Sequence, residues 1–182
     1  MKKYLWIIWF LSVGCSSVKI TDVQKTDNFS VRNYKTFDFL SVEAGGDAIS
    51  PLDGPTYKAN VAHVKASIAR YLEAQGLQQA SSHPSLVINI GVVVNEEVQT
   101  RQTSFANPAD RTVYMGQRNY HWNSQEVEVG KYRNGTLTVH LVDPAKNELM
   151  WKGSAESVLP NKPKEVPKLI ESAVQKLFSR LP

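Results

Sequence analysis

Apolar and polar residues alternate over several short stretches of the chain and recur at helical spacing over two longer ones. Residues 18–24 begin with Val18 and Ile20 in alternation and read as a first strand. Residues 35–40 place Phe37 and Phe39 on one face of a second. Between them Asp27-Asn28-Phe29-Ser30 signals a turn, and residues 41–56, rich in Gly, Pro, Ser and Asp, read as a loop. Over residues 57–75, Val61, Val64, Ile68 and Leu72 share a helical stripe while Lys58, Lys65, Arg70 and Glu73 take the other faces, which predicts an amphipathic helix. Gly76 suits the left-handed position past its end, and Leu77 the hydrophobic contact that accompanies it.

Pro84 opens the next strand, residues 86–94. Leu86, Ile88, Ile90, Val92 and Val94 share one face and Val87 and Val93 lie on the other, as in a strand central to its sheet. Residues 102–124 carry no clean period. Residues 126–131 alternate again, and residues 135–142 form a strand with Leu137, Val139 and Leu141 facing one way. A turn at Asp143-Pro144-Ala145-Lys146-Asn147 leads to a hairpin partner at residues 148–159. Pro160, Pro163 and Pro167 punctuate the entry to a last helix running to about Arg180, with an apolar stripe of Val166, Ile170, Ala173, Val174, Leu177 and Phe178. Strands cluster between two helices rather than alternating with them, so the expected class is α+β: a mainly antiparallel sheet with two helices packed on one face.

The N-terminus departs from this pattern. Behind Met1-Lys2-Lys3, residues 4–13 are an unbroken apolar run, the layout of a secretory signal. As a helix at ~1.5 Å per residue the run extends about 15 Å, half of a ~30 Å hydrocarbon core, so it is too short to span a membrane. The chain's one cysteine, Cys15, stands where such a segment would be cut, after Gly14 and before Ser16-Ser17. Leu11-Ser12-Val13-Gly14-Cys15 resembles a bacterial lipobox. That resemblance implies a signal peptide over residues 1–14, cleavage before Cys15, and acylation of its thiol and its new amino group. A single domain over residues 15–182 would then be anchored to a membrane through acylated Cys15, since several acyl chains on one residue hold a protein permanently where one chain does not. Ser16, which is not Asp, favours the outer membrane, facing the periplasm, by resemblance to the enterobacterial sorting rule.

Composition adds limits. At 182 residues, 42% hydrophobic and 21% charged, the chain has the size of one globular domain. One cysteine excludes an intramolecular disulfide and a thiolate-rich zinc site. The formal net charge of +4 includes Lys2 and Lys3. Without residues 1–14 the count is 19 basic against 17 acidic residues, a net +2, so no nucleic-acid partner is expected.

A second resemblance covers nearly the whole mature chain. Cys15 is followed by Tyr34-Lys35-Thr36-Phe37-Asp38-Phe39, Tyr71-Leu72-Glu73-Ala74-Gln75-Gly76-Leu77 and Pro84-Ser85-Leu86-Val87-Ile88. Gly135-Thr136-Leu137 then leads to Leu141-Val142-Asp143, to Leu149-Met150-Trp151-Lys152-Gly153-Ser154-Ala155 and to the closing Leu177-Phe178-Ser179-Arg180-Leu181-Pro182. In this order the segments resemble a bacterial lipoprotein family catalogued as domain of unknown function 4136. The resemblance implies an envelope lipoprotein and brings no activity with it.

Catalytic chemistry leaves few marks. His63, His83, His121 and His140 show no metal-ligand spacing, and HExxH, CxxC and GxSxG are absent. His140 and Asp143 fall on opposite faces of a regular strand. Glu126 and Glu128 share a face and are the carboxylate pair from which a hydrolase would be built; Glu96 and Glu97 point apart. Neither enzyme activity nor a cofactor is expected. Tyr114, Tyr120 and Trp122, interleaved with Arg111, Gln117, Arg118 and His121, form the one stretch rich in the residue types that anchor interfaces or stack on sugar rings. They are the candidate contact with an envelope protein or peptidoglycan. Two functional classes follow: a non-enzymatic binding or scaffolding domain, and a carrier of a small apolar ligand between sheet and helices. A filled core would favour the scaffold and a deep apolar pocket the carrier.

Overall fold

The alternating stretches pair into one six-stranded sheet, described by a computed structural model over residues 18–47, 54–104, 107–110 and 123–182. The elements in chain order are β1 (Lys19–Lys25), β2 (Thr36–Gly45), α1 (Pro55–Ala74), β3 (Gln78–Gln79), β4 (Leu86–Gln102), β5 (Glu126–Asp143), β6 (Glu148–Val158) and α2 (Val166–Phe178). The sheet order is β1-β6-β5-β4-β2-β3, antiparallel except for the β2–β4 and β2–β3 pairs. This is the expected α+β fold, with β4 central.

Three elements differ from the expectation. Residues 41–45 continue β2 instead of forming a loop. A register shift between Phe39 and Ser41 breaks the alternation, after which Val42 and Ala44 pair with Ile90 and Val92. The two stretches 126–131 and 135–142 are one strand, β5, because Tyr132, Arg133 and Asn134 stay in the ladder opposite Glu97, Glu96 and Asn95. β3, two residues long, was not anticipated. The end of α1 follows the sequence closely: Gly76 has φ +94°, its N–H bonds to Glu73 O at 2.9 Å, and the Leu77 N–H bonds to Leu72 O at 3.1 Å. That pair of hydrogen bonds is the Schellman pattern, with Leu72 and Leu77 both buried.

The sheet has a helix-covered face and a polar face. Leu86, Ile88 and Ile90 of β4 are buried under the helices, as are Val139 and Leu141 of β5 and Trp151 and Ala155 of β6. Asn89, Thr138, His140 and Lys152 alternate with them on the other side. Where the C-terminal halves of the helices meet, Trp151, Phe37, Phe178, Leu72, Ile68 and Leu177 are fully buried. Each such side chain contributes about 1.5–3 kcal/mol by leaving water. The rings of Trp151 and Phe178 lie 5.6 Å apart and those of Tyr71 and Phe178 5.0 Å apart, while Tyr71 Oη donates to Phe178 O at 2.8 Å. Gly153 makes this packing possible: a Cβ there would collide with the Trp151 indole and stand 2.8 Å from Leu177 Cδ1.

β4 and β5 outrun their neighbours. β2 leaves β4 at Val93 and β6 leaves β5 at Asn134, so residues 95–102 and 126–133 continue as a two-stranded arm about 25 Å long at ~3.4 Å per residue.

Candidate functional site

The two helices and the sheet do not stay in contact along their whole length. Toward the N-terminal ends of both helices the layers enclose a cavity of about 360 Å³. Its floor is Val42, Ile90, Val92, Val94, Gly135 and Leu137 of the sheet, and its roof is Tyr57, Val61 and Val64 of α1 with Val166, Leu169, Ile170 and Ala173 of α2. Val42, Val61, Val92, Leu137, Val166, Leu169 and Ile170 are only half-buried although they face the interior. The exposed lining residues Thr56 and Pro163 mark the side on which the cavity reaches solvent.

The residues themselves explain the space. Among the described residues the wall is dominated by Val, Leu, Ile and Ala, with one Gly and one ring, that of Tyr57, and no Phe or Trp. Gly135 lets Leu159 fold against the strand, its Cδ2 standing 3.1 Å from where a Cβ would be. The wall chemistry is apolar, of the size and kind that binds small molecules. Among the described residues its charged members are Arg133 and Glu156. Glu156 belongs by phase to the polar face, where Asn134 Nδ2 donates to its carboxylate. Arg133 shares the phase of Gly135, Leu137 and Val139 and so faces the cavity side, where its guanidinium donates to Pro160 O at 3.5 Å.

The residues singled out in the sequence are distributed as follows. Cys15, Tyr114, Tyr120, Trp122 and His121 lie outside the described residues. The described flanks of the aromatic stretch close the tip of the arm, where the Thr103 N–H bonds to Gln125 O at 2.7 Å. There Arg101 holds Asp110 at 2.6 Å, and this hydrogen bond, helped by the Ser104 N–H, pulls the Asp110 carboxyl down to about 2. Glu126 and Glu128 share a face as expected, exposed on the arm and away from the cavity; Thr100 Oγ1 donates to Glu126. Glu96 pairs with Lys131 at 2.8 Å, and Glu97 accepts from Tyr132 and Asn134. His63 and His83 are exposed. His140 lies on the polar sheet face, where burial, with Lys152 alongside, holds it below the usual imidazole range. Asp143 is buried elsewhere, accepting from Tyr34 Oη at 3.2 Å and from the Ala145 and Lys146 N–H groups. Among the described residues no three His, Cys, Asp or Glu side chains gather to hold a metal.

The cavity residues were the ones missed. The helix stripe announces Val61 and Val64, but nothing in a single strand says which wall its partner leaves unfilled. Arg133 had a readable signal once the strand is taken as continuous: like Lys131 two residues before it, it is a charged residue in phase with Gly135, Leu137, Val139 and Leu141, and it stands next to them.

Comparison with known proteins agrees with the family resemblance. The model of the family described as Domain of unknown function (DUF4136) matches residues 19–182. The chain belongs to this family. Membership in DUF4136, a domain of unknown function, assigns it no activity. No curated protein matches it. Solved structures similar to this DUF4136 domain include a PDZ domain protein from Parabacteroides distasonis, at 14% identity and TM-score 0.46 over 90% of this chain. The chain spans 36% of the length of that protein. Another is the PelC dodecamer from Paraburkholderia phytofirmans, at 13% identity and TM-score 0.44, covering 90% of this chain and 96% of that one.

Proposed function

We propose that this DUF4136 domain is a non-enzymatic envelope lipoprotein, tethered to the outer membrane through acylated Cys15, that holds a small apolar ligand between its sheet and its helices. The observation that carries the reading is the cavity of about 360 Å³ with its wall of aliphatic side chains. A core filled throughout would have favoured a scaffold. Instead, Val92, Leu137 and Ile170 are left half-covered in the interior of the helix layer, and an apolar chain would complete their burial at about 25 cal/mol per Å².

The test is a titration with an uncharged apolar fluorophore on the chain from Ser16 onward, which contains every residue of the core from Val18 to Phe178. Saturable binding at one site is expected, and it should be lost in Leu137→Trp while the far-UV circular dichroism is kept. Binding unchanged in that variant would remove the cavity as the site. The anchor has its own test: incorporation of a labelled fatty acid into the full chain in cells should fail with Cys15→Ala.

The arm supports a second role for the same domain. Its two strands flank in sequence the stretch with Tyr114, Tyr120 and Trp122, the candidate contact with an envelope protein or peptidoglycan. Replacing Tyr120 and Trp122 with Ala should abolish co-purification of a partner with no change in melting temperature; a fall in melting temperature alone would assign those rings to packing.

A further inference from the structure

Resting on the cavity reading, we infer that the ligand is a single-chain carboxylate amphiphile, a free fatty acid, whose head group is taken by Arg133. An apolar wall alone does not choose between an alkane-like ligand and one with a charged end; the charges around the wall do. Arg133 stands where the arm leaves the sheet, its backbone carbonyl accepting the Leu159 N–H at 2.8 Å, so its position is fixed by the ladder on both sides. Its side chain is half-buried on the cavity side and makes no ion pair among the described residues. The carboxylates near it are engaged elsewhere: Glu96, directly across the ladder, is bound to Lys131 at 2.8 Å, and Glu156 accepts from Asn134 on the other face of the sheet.

The helices reinforce the sign. α1 and α2 both begin at the cavity, and neither has an acidic residue in its first turn or a side-chain cap hydrogen bond. Glu165, just before α2, is paired with Lys162 at 3.6 Å. The N-terminal ends of two helices carry partial positive charge, which adds to that of the guanidinium at the same mouth. A guanidinium offers a carboxylate two parallel N–H donors, and the aliphatic wall begins beside it with Gly135 and Leu137. An anionic head with one apolar tail satisfies both parts; with a neutral ligand the Arg133 side chain has, among the described residues, the 3.5 Å bond to Pro160 O.

The experiment compares dodecanoate with dodecanol, each below its micellar concentration, by displacement of the fluorophore from the chain starting at Ser16. Wild type is expected to bind dodecanoate about tenfold more tightly than dodecanol, the size of one charge-assisted hydrogen-bonded contact. Arg133→Gln should erase that preference while changing dodecanol affinity by less than about twofold, and Arg133→Lys should restore part of it. Equal affinities in wild type, a preference that survives Arg133→Gln, or loss of dodecanol binding in that variant would overturn the head-group assignment and leave the cavity reading standing. Failure of wild type to bind either compound would overturn the cavity reading itself.

Discussion

The same two helices lie on the same strands at both ends of the molecule, yet one end is filled and the other hollow. At the filled end Trp151, Phe37, Phe178 and Leu72 are 0% exposed. At the hollow end Val42, Val92, Leu137 and Ile170, one or two turns or ladder steps away, are half-buried around open space. The backbone is continuous through both, so the difference lies in side-chain volume. The Trp151 ring packs on Gly153 and against Phe178 at one end, and mostly aliphatic side chains of Val, Leu, Ile and Ala face each other at the other. A mostly aliphatic wall around open space forgoes the dispersion contacts that large rings would supply. Under the proposed reading, a bound ligand supplies the contacts that the wall itself leaves unmade.

The strongest way to break this comparison is to truncate one large side chain at each end. Trp151→Ala should cost about 3–5 kcal/mol in urea unfolding, whereas Leu137→Ala, removing a side chain that already borders space, should cost about 1 kcal/mol. Equal losses would mean that the two ends are packed alike. Added volume sharpens the contrast. Gly153→Ala places a Cβ against Trp151 and Leu177 and should cost about 1–3 kcal/mol, while Val92→Phe grows into the cavity and should leave the melting temperature unchanged or higher.

The smallest expected effect is an acid response that belongs to the filled end. Burial raises the Asp143 carboxyl pKa, but hydrogen bonds from Lys146, Tyr34 and the Ala145 N–H outweigh it and leave the group below its ordinary value. In return, burial and the nearby carboxylate push the Tyr34 hydroxyl up to about 12. A carboxylate depressed by folding contributes stability above its unfolded pKa of about 4, and that stability is lost as pH falls through the lower folded value. Asp143→Asn should therefore flatten the decline of melting temperature below pH 4, and variants around the cavity should not. A decline of the same slope in Asp143→Asn would remove this group from the acid response.

Much of the fold was legible because it rests on local periodicity: the stripe of α1, the alternation of β4 and the Gly76-Leu77 exit each needed only their own residues. What periodicity could not show were features set by a partner strand. The register shift after Phe39 hid residues 41–45, and Tyr132-Arg133-Asn134 concealed the continuity of β5, because a polar or irregular stretch still belongs to a ladder when its backbone groups are paired. The cavity was harder still. It is a space bounded by residues of six elements, and only their assembly reveals that no described side chain fills it. The choice between a filled core and a pocket was visible as a question in the sequence; its answer needed the packing.

The central claim, that the hollow end is a binding site and the filled end is not, is tested most directly by following methyl resonances while dodecanoate is added to the isotopically labelled chain. Shifts concentrated on Val92, Leu137, Val166 and Ile170, with Leu72, Leu86 and Leu177 unmoved, are the expected result. Shifts spread evenly over both ends, or none at saturating ligand, would contradict it.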